Sequence, residues 1–500
     1  MSLMQMVDDY RERKIAFASN ARTARSVTAA VLVVIGVLLL IGFGLKKYGK
    51  KLAMGNQVDI EKHGQQMAQA PSSKRIQSID LFSNLWIPPT VKEPEFVSDV
   101  SVDEDPDSTI AYAVPDRRDP VNPRWAYYDP RLQRISIVTI SIYNQGVSVY
   151  CRYYAHNGTE IEPRQRTMVK PEYLIHCVRG RYAPYVTVTE INGTEVGEES
   201  EKLPVTVLPE APPITPSLSV CLSPIFGDYH HWMLLLQFIE FHRLVGAQHF
   251  FIYVLHVNDN ATQAMLDFYE QHNVATVVQL MSNETDPNIC TRTHRCRHNA
   301  QIQDCIFRSM NRFKYTAVID IDELVVPLAH ETLPHLLESV NEPRFGTFVF
   351  RPRWIFRDQP DPTADHLWSV PDVKLGDFTW QNLPAFRFHN TSQVPRPGHT
   401  SKCIVKPDQV TYMGVHYVRE MVNQSDTNNN SPSRAYMVEH QLAHVRHYRN
   451  TTSWARRFVE EALSFGKPDW TELPGKLIEP LFNRVVTALD MIRRNHNRNQ

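Results

Sequence analysis

The segment Tyr315-Thr-Ala-Val-Ile-Asp-Ile-Asp-Glu-Leu-Val-Val-Pro327 decides how the rest of the chain is read. Its first half is apolar and β-rich, the pattern of a strand buried on both faces. Asp320 and Asp322 stand where that strand ends. An unpaired carboxylate in such surroundings is costly, so the pair calls for a counter-charge. A spacing of two along extended chain puts both side chains on one side, converging on one hard cation. Two other Asp-x-Asp pairs, Asp103/Asp105 and Asp105/Asp107, lie in an acidic, proline-punctuated stretch and lack this setting. The plainer alternative is a strand-end aspartate that only caps a following turn.

Working outward, short apolar runs alternate with helical stripes. Leu218 to Leu222, Phe250 to Leu255, Val274 to Leu280 and Tyr315 to Ile321 read as strands. His231 to Leu244, Thr262 to His272 and Asn299 to Arg312 read as helices. Alternation of this kind predicts an α/β fold with right-handed crossovers and a mostly parallel sheet. Ligands of such sheets gather beyond the carboxyl ends of the strands, where Asp320 and Asp322 stand. Upstream, Ile135 to Tyr143 alternates with period two, and Val147 to Tyr154, Tyr173 to Val178 and Tyr185 to Ile191 are β-rich. Asn-Gly turns at Asn157 and Asn192 separate them. The expectation is a small antiparallel β domain over 131–207, a proline-rich linker over 208–217 and the α/β domain over 218–480. A C-terminal helix and basic tail occupy 481–500.

Nearer the N-terminus, Val27 to Leu45 carries no charge over about the 20 residues a helix needs to cross a bilayer. Arg22 and Arg25 precede it, and Lys46 and Lys47 follow. A cleaved signal peptide would have a shorter apolar run and small residues after it. Residues 27–45 therefore read as a transmembrane signal anchor, 1–26 as a cytosolic tail and 46–130 as a stem rich in proline. Flanking charge is nearly balanced and leaves orientation open. Glycosylation sequons begin at Asn157, Asn192, Asn260, Asn283, Asn390, Asn423 and Asn450, with a poorer one at Asn429, and all seven cysteines also follow the anchor. Both features point to a lumenal body with up to three disulfides and one remaining thiol. A formal net charge of −1 offers no basic excess for nucleic acid.

Several blocks together resemble glycosyltransferase family 92. They are Cys221-Leu-Ser-Pro-Ile-Phe-Gly227, Trp232 with Gln237-Phe-Ile-Glu-Phe-His242, and Gly246-Ala-Gln-His-Phe-Phe-Ile-Tyr253. Gln303-Asp-Cys305, Asp320-Ile-Asp-Glu323 and His447-Tyr-Arg449 continue the series. The resemblance covers about residues 215 to 455. It implies a Rossmann-like GT-A domain, residence in the Golgi membrane as a single-pass type II protein, a UDP-sugar donor and Mn²⁺, with Mg²⁺ as the alternative ion. Within the family the blocks look most like the invertebrate β-1,4-galactosyltransferases that extend core α1,6-fucose. That similarity implies UDP-galactose as donor and an N-glycan carrying core fucose as acceptor.

Carried onto this sequence, the resemblance gives Asp320 and Asp322 the metal and donor role. A third ligand is expected from a histidine downstream: His416 is chosen, with His444 and His447 as rivals. Ser223 and Pro224, at the end of the first strand, are expected to approach the uridine. Lys402, or an arginine among Arg351, Arg353 and Arg357, is expected to clamp the diphosphate. Inversion at the anomeric carbon needs a base for the acceptor hydroxyl. Asp377 is the candidate, with Asp358 and Asp372 competing, and neighbouring Trp380 is expected to stack on an acceptor ring. Two non-enzymatic readings compete with this one: a catalytically silent glycan-binding protein, and adhesion through the β domain.

Overall fold

The computed structural model describes residues 121–140, 145–171, 173–178, 183–190, 202–211, 213, 215, 217–226, 232–257, 259–280, 294–357, 379–422, 434–451 and 456–499. The expected anchor at 27–45, the tail and most of the stem lie outside them. No helix among the described residues is long and apolar enough to cross a membrane.

The first sheet holds β1 (Pro123–Asp129), β2 (Arg134–Thr139), β3 (Ser148–Tyr154), β4 (Glu160–Met168), β5 (Leu174–Val178), β6 (Tyr185–Thr189) and β7 (Leu203–Val207). Its strand order is β4-β3-β6-β7-β1-β2-β5. All its pairings are antiparallel except β1 with β7, so the sheet is mixed rather than purely antiparallel. Asn157 and Gly158 form the β3–β4 turn as their pairing suggests: Gly158 has φ of 82° and Thr159 N–H donates to Asn157 Oδ1. The alternation in β2 predicts a half-buried strand, yet residues 135–139 are all buried. Ile135 and Ile137 face the sheet's own core, while Val138 packs with the helix that carries Ile302 and Phe307. Cys151 and Cys177 are joined by a disulfide beneath that core.

The second sheet is built on β8 (Leu218–Ile225), β9 (His249–Val254), β10 (Ala275–Gln279) and β11 (Tyr315–Ile319), which run parallel in the order β10-β9-β8-β11. The crossovers are α1 (Trp232–Leu244), α2 (Asn260–Gln271) and α3 (His294–Ser309). Each agrees with the helical stripe read from the sequence. β12 (Glu323–Pro327) and α4 (Leu333–Ser339) follow β11, and β12 belongs to the third sheet. The second sheet continues through three further strands. These are β13 (Phe345–Phe350), which pairs β16 antiparallel; β16 (Lys402–Val405), antiparallel to β11; and β19 (Arg434–Met437), parallel to β13.

The third sheet has the order β12-β20-β14-β15-β21, made with β14 (Pro352–Arg357), β15 (Asn390–Thr391), β20 (Ala443–Asn450) and β21 (Asp469–Trp470). Between these lie α5 (Pro384–Arg387), the hairpin β17 (Val410–Met413) and β18 (Val418–Met421), and α6 (Arg456–Ser464). Finally α7 (Gly475–Asn499) buries Leu477, Leu481, Val485 and Leu489 in the same core as α1.

Candidate active site

The site starts where β11 stops. The strand ends at Ile319, and residues 320–322 turn into β12, so the two aspartates do not ride on a strand and period-two alternation does not align them. The turn aligns them instead. Glu323 N–H donates to the Asp320 carbonyl at 3.1 Å, and Asp320 N–H donates back to Glu323 Oε2 at 3.0 Å. Tyr448 N–H donates to the Asp322 carbonyl at 2.8 Å and ties the turn to β20. With its backbone satisfied this way, the turn presents two side chains that stay 29% and 24% exposed while Glu323 is fully buried.

Lys402 enters from β16, whose Cys403 pairs with Val318 of β11. Its Nζ is 2.6 Å from Asp320 Oδ2 and 3.3 Å from Glu323 Oε2. Burial alone would discharge this lysine, but the two carboxylates outweigh it and hold its pKa well above the ordinary range. Burial likewise pushes Asp320 up, and Lys402 and His298 reverse this, leaving its carboxyl far below the usual range. For Asp322 burial is opposed by His447 and then Arg357, and the net shift is downward. Asp320 acts on Asp322 as a like charge and partly opposes that shift. Glu323 is raised, because burial exceeds the pull of Lys402. Two ionised carboxylates thus face outward over a buried lysine.

His447 completes the cluster. It pairs with Glu323 across β20 and β12, and its Nε2 is 3.4 Å from Asp322 Oδ2. Its Nδ1 is 3.0 Å from Glu323 Oε1 without hydrogen-bond alignment, so both atoms are buried and unsatisfied. Among the described residues no group of three or more His, Cys, Asp or Glu side chains is already drawn together as a metal site.

The other expected residues fall out as follows. Ser223 and Pro224 lie at a register break in β8; Leu222 pairs with Ile319, so Ser223 stands level with Asp320 where the pairing of β8 with β11 ends, while β8 runs on beside β9 to Ile225. His416, between β17 and β18, has Nδ1 3.0 Å from the Ser401 carbonyl, while its own carbonyl accepts from Cys403 Sγ. Its neighbours therefore flank Lys402. His444 lies three residues before His447, with Nδ1 3.4 Å from the His440 carbonyl. Arg351 reaches His440 and Arg353 reaches Ser392 and Asp469, leaving Arg357 as the arginine whose charge acts on Asp322. Trp380, 42% exposed, stacks on Phe482 of α7 at 4.2 Å. Asp377, Asp358 and Asp372 lie outside the described residues.

Sequence reasoning gave no role to Glu323, His298, Gln303 or Asp304, and read Cys305 only as one of seven cysteines open to pairing. Those last three, consecutive on α3, each grip a different segment. Gln303 makes a two-way amide bond with the backbone of Met413. Asp304, fully buried, accepts from Tyr127 of β1, Tyr253 of β9 and Arg308. Cys305 is disulfide-bonded to Cys221 of β8. Together they bind the first sheet and the β17–β18 hairpin to the strand beside the aspartates. A charged residue opening the otherwise apolar run Glu323 to Pro327 was the available signal for Glu323.

The model of glycosyltransferase family 92 matches residues 217–481, more than half of the chain. The chain belongs to that family. A family relative, beta-1,4-galactosyltransferase galt-1 of Caenorhabditis elegans, is 21% identical over 214 residues. That alignment covers 42% of this chain and 44% of the relative, so the chain spans less than half the relative's length. Among solved structures, a mannosyltransferase of Pyrobaculum calidifontis in complex with GDP-Man and Mn²⁺ aligns with a TM-score of 0.26 and 12% identity, covering 57% of this chain and 76% of its own. Glucosyl-3-phosphoglycerate synthase of Mycobacterium tuberculosis, in complex with Mg²⁺ and UDP, aligns with a TM-score of 0.23 and 9% identity, covering 55% and 80%. Scores this low assign no fold. The family 92 match does agree with the placement of every block by which the sequence resembles that family, from Cys221 to His447.

Proposed function

We propose that this family 92 chain is a metal-dependent inverting glycosyltransferase of the GT-A type. It moves galactose from UDP-galactose in β-1,4 linkage to the fucose of core-fucosylated N-glycans. The observation that carries the reading is the pair of ionised, outward-facing carboxylates of Asp320 and Asp322 at the carboxyl end of a central parallel strand. The donor set fits a divalent cation. Oxygen ligands suit Mn²⁺ or Mg²⁺, and His447, whose Nε2 lies 3.4 Å from Asp322 Oδ2, is favoured as the nitrogen ligand over His416, whose Nδ1 meets the Ser401 carbonyl. Such an ion, when bound, supplies Lewis-acid stabilisation of the departing diphosphate.

The chain's own groups do the rest. Lys402 is locked to Asp320 and Glu323, so it fixes the Asp320 carboxylate rather than reaching freely for phosphate. Arg357 takes over the role of cation nearest the diphosphate. Ser223 sits level with Asp320 for the nucleoside. The base stays assigned to Asp377, and an anchor at Val27 to Leu45 would hold the body in the Golgi lumen, the side that the sequons and cysteines after it suggest, with exposed asparagines such as Asn157, Asn260 and Asn450 open to modification. The test is direct. The full chain in detergent, given UDP-galactose, Mn²⁺ and a core-fucosylated glycan, should add one hexose by mass. Transfer of a different sugar would correct the donor alone; no transfer from any nucleotide sugar to any glycan would sink the reading.

A further inference from the structure

Trp470 is 71% exposed, the most open large apolar side chain among the described residues. A single exposed apolar side chain is ordinary on a folded surface, so what marks this one is where it stands and how its ring is held. It lies on β21, the outer strand of the third sheet, where it pairs with Asn390. That sheet begins with β12, which opens at Glu323 directly after Asp322, four strand spacings or about 19 Å away.

Trp470 also faces the same way as His447. Side chains two apart along a strand share a face, so His447 and Arg449 do. The Arg449 guanidinium lies 4.9 Å over the ring of Trp354, which pairs with His447. Arg449 in turn pairs with Phe356, next to Ile355, and Ile355 pairs with Thr391, beside Asn390. The intervening row, Tyr448 and Ile355, points into the core instead. One face of the sheet therefore runs from His447 to the exposed indole, past the rim that His399 and Phe465 form over Trp354.

The indole is held as a platform. His389 lies 4.7 Å from it at 33°, and its Nε1–H donates to Glu472 Oε1 at 3.4 Å. On the opposite face of the strand Asp469, which pairs with Thr391, has Oδ2 accepting from Gln393 Nε2 at 2.5 Å and from Arg353 Nη2 at 3.3 Å, anchoring the strand that carries the indole. The same Gln393 amide donates to the Lys467 carbonyl at 2.8 Å. Gly466, at φ of 135°, lets that loop close on Gln393, since a Cβ there would stand 2.8 Å from Gln393 Cγ. A rigid aromatic face edged by the Glu472 carboxylate matches a saccharide ring, with an apolar C–H face and a rim of hydroxyls.

We propose that Trp470, with Glu472, is a subsite for a distal ring of the acceptor oligosaccharide. This rests on the glycosyltransferase reading above. Trp470 thus takes the stacking role that the sequence alone gave to Trp380, whose ring is occupied by Phe482.

The experiment uses the full chain in detergent, as wild type, Trp470→Ala and Trp470→Phe, with a free core-fucosylated N-glycan as probe. Saturation-transfer NMR reads binding without any turnover. Transfer kinetics with UDP-galactose and Mn²⁺ read function. Trp470→Ala should raise the acceptor KM roughly tenfold and abolish the saturation-transfer signal of the glycan. The kcat and donor KM should not change, fucose alone should be handled as by wild type, and Trp470→Phe should restore most of the loss. An acceptor KM and a glycan signal both unchanged in Trp470→Ala would overturn the subsite. So would a glycan signal that emerges only in Asn390→Gln, because the platform would then be covered by the chain's own glycan. A glycan signal present in wild type and abolished in Trp470→Ala, with no transfer by either, would sustain the subsite and sink the enzymatic reading.

Discussion

Asp322 and Lys402 occupy one cluster but answer to different physics. Asp322 sits at the mouth of the site, partly solvated, and its backbone is what the fold uses. Asp322→Asn should leave the thermal midpoint nearly unchanged and reduce turnover by roughly 10²–10³ or more, the scale of losing one preorganised electrostatic partner of a leaving group. Lys402 is buried and holds two carboxylates together, so Lys402→Met leaves Glu323 and Asp320 without their cation. That should cost about 3–5 kcal/mol of stability, read as a lower urea midpoint. Equal losses of stability in the two variants would refute this division of labour. The Asp320/Asp322 pair was legible in the sequence because two acids closing an oily strand are expensive. Their alignment was not, because it comes from a hydrogen-bonded exchange between Asp320 and Glu323 that residue spacing does not encode. His447 was legible only as one histidine among three, since its neighbour across β12 depends on a pairing between segments far apart in the chain.

At the scale of elements, the block Gly246-Ala-Gln-His has a physical reason. Ala247 N–H donates to the His242 carbonyl at 2.8 Å and Gly246 N–H to the Arg243 carbonyl at 3.2 Å, so α1 ends in a Schellman turn. Gly246 carries φ of 104°, and a Cβ on it would lie 2.9 Å from Pro334 Cδ on α4. Gly246→Ala combines a disfavoured backbone with a clash against the helix below. It should cost about 1–2 kcal/mol for the backbone alone and more for the displaced α4. A urea midpoint equal to wild type would show that this turn is not the constraint. The helices α1, α2 and α3 and the strands between them could be read in advance because local period and burial agree there. β1 and β4 could not. β1 lies in a proline-bearing stretch that reads as stem, and β4 (Glu-Ile-Glu-Pro-Arg-Gln-Arg-Thr-Met) is almost wholly polar. Cross-strand partners stabilise both, and such partners are invisible to a local pattern. The segment holding Asp377 offered a candidate base only through its nearness to Trp380, and nothing local separates a base from a solvated aspartate there.

For the whole molecule, buried histidines set a pH limit because they sit in different layers. His242 in α1 and His444 in β20 are held at about 4 and about 3 by burial, and His176 in the first sheet at about 3 by burial and then Arg134. His242 is fixed as neutral by its contacts: Val325 N–H donates to Nε2, so Nδ1–H is the atom that meets the Phe238 carbonyl. In the unfolded chain each ring takes up its proton near pH 6.5, while the fold keeps it neutral until about 3 or 4. Between those limits the unfolded state binds more protons, so stability falls as pH falls. For the buried His242 and His444 the slope is about 1.4 kcal/mol per pH unit each. The depressed carboxylate of Asp320 adds its own loss only below the ordinary range of an unfolded aspartate, so the interval from about pH 6.5 to about pH 4.5 belongs mainly to the histidines. Thermal midpoints measured from about pH 7.5 down to about pH 5 should stay level at first and then decline below about 6.5. A midpoint that stays constant or rises over the lower part of that range would mean the rings are already charged in the native state, contrary to the donor and acceptor roles their neighbours impose.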